Sequence, residues 1–411
     1  MNSFEKILFA PLIELEKDNF LFYMNSLKSN EKKDLLDTIF ENKYAPIFFN
    51  YISKNDLTDS FSDEEIEKFR LHLEEIQIVN LSIIKEVLFL NDIFEKNNLH
   101  PVYLKGVALI GEFQDISLRP SNDIDILFSE EEAIRAFQIL NKNGFHELNH
   151  IKRDDEYLIN YSKKSHDLPT LFGDSNIMID IHHRVTSPKD FNECPLTYQI
   201  LNNKKSYSFY GSNIFKPEIE DLTLHLILHF SIQNYFEKSL RIFSDIKQIE
   251  KNYNIDWERI YSSNDNSLVK KTILLSLGLL NYKFEITNDF QKMKSKYKFL
   301  FPSDDILNFL YQKTIVKEKS KINLKTLASI GESDSFFTLI KSILERFYVE
   351  NDNNSSSKNV DNPNKLFNFK KISTLFFRIR FYFFSVIKLI FNVGSISKDY
   401  QNIKKTKGWL K

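Results

Sequence analysis

Two carboxylates, Asp123 and Asp125, sit at i and i+2 in the string NDIDILF. On a strand, alternate side chains share a face, so both acids point one way while Ile124 and Ile126 point the other. Like charges this close repel unless a cation or hydrogen-bond donors compensate. Mg²⁺ is the usual compensation, because it takes oxygen ligands from one or two carboxylates together with substrate phosphates. The plain alternative is a strand end with two solvated acids. A third acid adds to the pattern in NIMIDIHHR, where Ile177, Ile179 and Ile181 alternate with Met178, Asp180 and His182. Neighbouring strands lie about 4.8 Å apart, so Asp180 could complete a two-metal cage with the first pair. Its alternative is a local pairing with Arg184.

Upstream, LKGVAL places Gly106 at a strand-to-helix junction, where a phosphate could approach the backbone. Lys105 and Arg119 are candidate counter-charges for a triphosphate. His182 shares the Asp180 face and is a candidate for supporting the acids or touching an acceptor. His183 points the other way. His225 and His229 stand at i and i+4 in LHLILHF, but Leu226 occupies the position where a zinc-protease motif requires Glu. Their apolar flanks favour buried histidines, with Asp245 on the next helix as a partner, and His229 stays a candidate acceptor contact. Cys194 has no neighbouring pattern that suggests a nucleophile.

The elements that must position these residues can be read from periodicity. Residues 63–98 place Ile66, Phe69, Leu73, Ile76, Val79 and Ile83 at helical spacing behind Ser62 and an acidic first turn. Pro101 ends that pattern. PVYLKG (101–106) reads as a short strand followed by a short helix, and SNDIDILFS (121–129) as a strand. EEAIRAFQILNKNG (131–144) reads as a helix closed by Gly144, and NIMIDIHHRV (176–185) as a further strand. Helices are expected again over 218–236, 240–254 and 268–284. Residues 350–364 are Asn/Ser-rich and read as a flexible linker.

Taken in order, LKGVALIGEF, SLRPSNDIDILF, IMIDIHHR, EDLTLHLILHF and RIFSDIKQI resemble the bacterial nucleotidyltransferase-fold proteins of the DNA polymerase beta superfamily. The likeness is to the group with LKG, R-x3-DIDLL and a later D-x-H strand, over roughly residues 65–285. It implies a small mixed sheet in an α+β fold, Asp123 and Asp125 on Mg²⁺, Asp180 as the third carboxylate, and Gly106 in the nucleotide-binding turn. Two ions would bridge an NTP and an acceptor hydroxyl. The chain departs from the superfamily at Val107, where the turn usually carries Ser or Gly.

The expected organisation is a helical segment at 1–98, a nucleotidyltransferase core at 99–215, a helical domain at 216–349, the linker at 350–364 and a basic tail at 365–411. Its 411 residues leave room for two or three domains. A hydrophobic share of 42% supports a buried core, and a net charge of -1 argues against a nucleic-acid-coating protein. The single cysteine excludes an intramolecular disulfide framework and fits a reducing cytoplasm. No uncharged apolar stretch reaches bilayer length and no signal-like run opens the chain. From Lys365 to Lys411 there are eleven Lys/Arg against Asp399, a net +10 that leaves -11 on the remainder. Along KKISTLFFRIRFYFFSVIKLIFNVG one polar stripe faces a wide Phe/Ile/Leu surface, suited to docking on the protein's own helices, to a membrane surface or to a partner protein.

These readings converge on Mg²⁺-dependent transfer of an NMP from an NTP to an acceptor hydroxyl of a small molecule, glycan precursor or protein, with pyrophosphate released. The alternative is a catalytically degenerate binding or assembly module of the same fold. The expected partners are the NTP and an unidentified acceptor, with peripheral membrane contact through 365–411 open.

Overall fold

The computed structural model describes residues 1–148, 153–187, 195–234, 236 and 240–315. Cys194, residues 316–349, the linker 350–364 and the basic tail 365–411 lie outside the described residues. The described residues fall in one unit, Met1–Lys319. Among them, no helix is long and apolar enough to cross a membrane.

The architecture is α+β: a six-stranded mixed sheet among many helices. Its strands are β1 (Val102–Tyr103), β2 (Asp123–Leu127), β3 (Leu171–Phe172), β4 (Met178–His182), β5 (Lys205–Phe209) and β6 (Ser212–Lys216). They lie in the order β3-β4-β2-β1-β6-β5. β2 runs parallel to β4 and β1 parallel to β6, whereas β1/β2, β3/β4 and β5/β6 are antiparallel.

One face of the sheet is the core. Ile124 and Ile126 of β2 and Ile179 and Ile181 of β4 are buried with Val87, Leu90 and Phe94 of one helix and Ala133, Phe137 and Leu140 of another. The first is the 34-residue helix Asp63–Lys96, opened by a capping box between Ser62 and Glu65. The second, Glu130–Lys142, has a capping box between Ser129 and Glu132 and is followed by Gly144 at φ 93°. Helical spacing named Val79 as an inward residue of the long helix, but Val79 is 40% exposed and Asn80 is fully buried. The Asn80 amide donates to the carbonyls of Ile116 and Arg119, so a polar anchor takes that inward position and ties down the turn before β2.

Two segments differ from the sequence reading. The helix after β1 begins at Lys105, so Lys105 and Gly106 belong to a six-residue helix, Lys105–Ile110, and not to the end of the strand. The β5/β6 hairpin had not been expected. It turns at Tyr210 (φ 46°) and Gly211 (φ 88°), the left-handed pair of a two-residue hairpin loop, between the alternating runs KSYSF and SNIFK.

Candidate active site

Parallel pairing of β2 with β4 sets Asp125 directly opposite Asp180, one step after the pair Ile124–Ile179. The apolar members of both strands press on the core helices, so the acids are forced to the opposite face. One carboxylate oxygen from each of Asp123, Asp125 and Asp180 lies within 4.8 Å of the others. Asp125 is buried, while Asp123 and Asp180 are half-buried.

Asp125 is the most heavily committed of the three. Lys105 Nζ lies 2.6 Å from its Oδ1, and His182 Nε2 lies 2.8 Å from the same oxygen. With Nε2 carrying its proton, His182 donates. Burial works to raise the Asp125 carboxyl, but the Lys105 charge and the His182 contact outweigh it and hold the group well below the usual carboxylate range. Its Oδ2 is buried with no hydrogen-bond partner among the described residues. Asp180 accepts from the Thr170 hydroxyl at 2.6 Å. Burial pushes the Asp180 carboxyl up, Thr170 opposes, and the neighbouring Asp125 charge pushes it further up.

A bare carboxylate oxygen buried beside two more carboxylates is a group a hard divalent cation would satisfy. The donor set is all oxygen, so it fits Mg²⁺ better than zinc, which prefers nitrogen and sulfur. Lys105 reaches Asp125 from a strained position, at φ 40°, where a non-glycine residue is costly.

Arg119 and Asp245 form a buried pair. Arg119 Nε and Nη2 donate to the two Asp245 oxygens at 3.2 and 3.1 Å, and Nη1 donates to Ser121 Oγ at 3.0 Å. Asp245 is thereby the partner of Arg119, where sequence reasoning had offered it to a histidine. The guanidinium attracts the carboxylate more strongly than a neutral imidazole can. The room left by Gly106 is also used from inside the protein. A Cβ there would stand 2.6 Å from Ser121 Oγ and 3.2 Å from Arg119 Nη1.

The helices beyond the acids supply further groups. His225, on the helix Ile219–Leu228, is buried with neither ring nitrogen partnered among the described residues. Burial, then the Lys105 charge, lower it to about 3. His229 begins a π-helical turn, His229–Gln233, and contacts the Asn234 amide at 3.0 Å. His183 contacts the Ser165 carbonyl at 3.1 Å. His166, which sequence reasoning passed over, has its ring 5.3 Å from that of His182 and tilted against it by 35°, and is lowered by burial to about 4.

Arg241 was also missed, although it opens the RIFSDI string. It lies on the helix Leu240–Asn252 and donates to the Pro120 carbonyl at 3.3 Å, next to the start of β2. Burial, then repulsion from Arg119, pull its pKa down, while Asp245, Asp123 and Asp125 pull it up. The signal for it was helical spacing, because Arg241 precedes Asp245 by one turn.

A separate cavity of about 320 Å³ is lined by residues such as Asn203, Lys205, Asp221 and Arg259, and by none of the three acids.

No curated protein matches the chain. One solved structure that is similar is the crystal structure of an antigenic nucleotidyltransferase-like protein from Paracoccidioides brasiliensis, at 12% identity over 54% of this chain and 90% of that one. The TM-score is 0.25. A family model described as an uncharacterised nucleotidyltransferase matches residues 28–285, more than half of the chain. That span holds the three aspartates with Lys105, Arg119 and Arg241, and by this match the chain belongs to that nucleotidyltransferase family.

Proposed function

We propose that the protein transfers an NMP from an NTP to an acceptor hydroxyl and releases pyrophosphate. The observation that carries this reading is the convergence of Asp123, Asp125 and Asp180, with Asp125 Oδ2 buried and bare. These three residues would hold two Mg²⁺ ions. When bound, such ions neutralise phosphate charge and acidify an acceptor hydroxyl.

The chain's own groups would do the rest. The acceptor oxygen bonds to the α-phosphorus as the bond to the β-phosphate oxygen breaks, and the hydroxyl proton passes to the Asp180 carboxylate. Arg241, whose described hydrogen bond is to a single carbonyl, turns its remaining donors to the phosphates. Lys105, next to Gly106 in the first turn of its helix, joins it when released from Asp125. Arg119, held by Asp245 and Ser121, would fix the turn that leads into β2. His182 orients Asp125, and His229 would be an acceptor contact.

The test is incubation of the full chain with Mg²⁺ and NTPs labelled at the α- or γ-phosphate, with cell-derived small molecules as acceptors. The α-label should move to product and the γ-label should leave in pyrophosphate. Movement of the γ-label to product would sink the reading.

A second reading has its own observation. Lys105 already neutralises Asp125 at 2.6 Å, which would suit a binding module that has lost catalysis. Mn²⁺ titration by electron paramagnetic resonance separates the two, because a catalyst takes up the ion at Asp123, Asp125 and Asp180 and a relic does not.

A further inference from the structure

The long helix Asp63–Lys96 buries one face in the protein and exposes large apolar side chains on another, where Phe89 also stacks on Phe145 with ring centres 6.0 Å apart. On that side Leu71, Ile78 and Phe89 are 51%, 65% and 51% exposed, flanked by exposed Val79 and Leu81. Large apolar side chains gathered on one face mark an interaction surface. The spacing is that of a coiled-coil seam. Leu71, Glu75, Ile78, Ser82, Lys85 and Phe89 follow alternate steps of four and three residues.

We infer that this seam pairs two copies of the chain, antiparallel, about a two-fold axis passing close to residue 80. In an antiparallel pair each layer joins residues whose numbers lie equally far on either side of the axis. Leu71 then meets Phe89 of the second copy, and Ile78 meets Ser82. Glu75 meets Lys85, an opposite-charge layer inside the seam. The same 4-3 rhythm continues outward to exposed Lys68 against exposed Asp92, and to exposed Glu64 against exposed Lys96. Thus every charged layer along about 48 Å of helix joins opposite signs. The parallel in-register alternative stacks Glu75 on Glu75, Lys85 on Lys85 and Lys68 on Lys68, and like charges disfavour it. Four charges in these layers already have neighbours within the chain. Lys96 pairs with Asp92 along the helix at 2.6 Å, Lys68 lies 4.2 Å from the Phe40 ring, and Glu75 lies 3.5 Å from His72 Nδ1, so the outermost layers, whose Lys96 and Asp92 already hold each other, add least.

Sedimentation equilibrium of the full chain tests this. The wild type should dimerise below about 100 µM, since an interface of this kind is modest in area. Ile78→Glu should give a monomer with unchanged circular dichroism. Lys85→Glu should weaken the dimer at least tenfold by setting Glu against Glu75. Adding Glu75→Lys to Lys85→Glu restores opposite charges in that layer and should recover the dimer, which a general loss of folding would not. A wild-type monomer at that concentration would overturn the inference. So would a dimer indifferent to Ile78→Glu, or no recovery on the charge swap.

Discussion

Arg119 and Asp245 lie 126 residues apart in the chain, yet the guanidinium donates to both carboxylate oxygens, from Nε at 3.2 Å and from Nη2 at 3.1 Å. Both side chains are about 4% exposed. The pair joins the turn leading into β2 to the helix Leu240–Asn252, which also carries Arg241. Removing one member leaves an uncompensated buried charge, so Asp245→Ala should cost about 3–5 kcal/mol in urea unfolding. The double change of Arg119→Met with Asp245→Leu should cost clearly less than the two single changes added together.

The acids should separate activity from stability. Asp123 is half-buried and makes no ion pair among the described residues, so Asp123→Asn should abolish Mg²⁺-dependent NTP turnover while shifting stability by no more than about 0.5 kcal/mol. Asp125→Asn should abolish turnover too, but it replaces the charged acceptor that Lys105 and His182 share with a neutral amide and should cost about 1–3 kcal/mol. Paired kinetics and thermal unfolding check both. Full turnover in Asp123→Asn would contradict the assignment.

Arg241 is expected to act on the nucleotide. Arg241→Ala should raise KM for the NTP by about 10–100-fold, and Arg241→Lys should recover part of it, since ammonium keeps the charge and loses the planar fork. An unchanged KM would leave Arg241 as a support for the Pro120 carbonyl alone.

His225 sets an acid limit on stability. Its folded pKa of about 3 lies below its ordinary 6.5, so between those values the unfolded chain takes up a proton that the folded chain refuses. The stability associated with neutral His225 is complete above about pH 6.5 and declines as pH falls toward 3, by up to about 1.4 kcal/mol per pH unit. His225→Leu should flatten that part of the stability–pH curve, measured by chemical unfolding at several pH values. A parallel curve for the variant would remove His225 from the account.

Gly106→Ala should destabilise, because the new methyl group meets the Ser121 hydroxyl and the Arg119 guanidinium. The loss should shrink in Gly106→Ala with Ser121→Gly, measured by thermal unfolding.

The local patterns were legible in the chain itself. Alternation in NDIDILF and NIMIDIHHR placed the isoleucines inward and the acids outward, because a strand's side chains alternate whatever surrounds it. The helix start at Ser62 was readable for the same reason, since a capping box is closed within four residues. Tertiary structure alone decided which strands are neighbours, and hence that Asp125 faces Asp180 across a parallel pair 55 residues apart in sequence. It also decided that Arg119 turns to Asp245, that Asn80 and not Val79 points inward, and that Arg241 arrives beside β2. Each of these depends on a contact between distant segments, whose partner is chosen by packing of the whole core, and no local period in the chain encodes it.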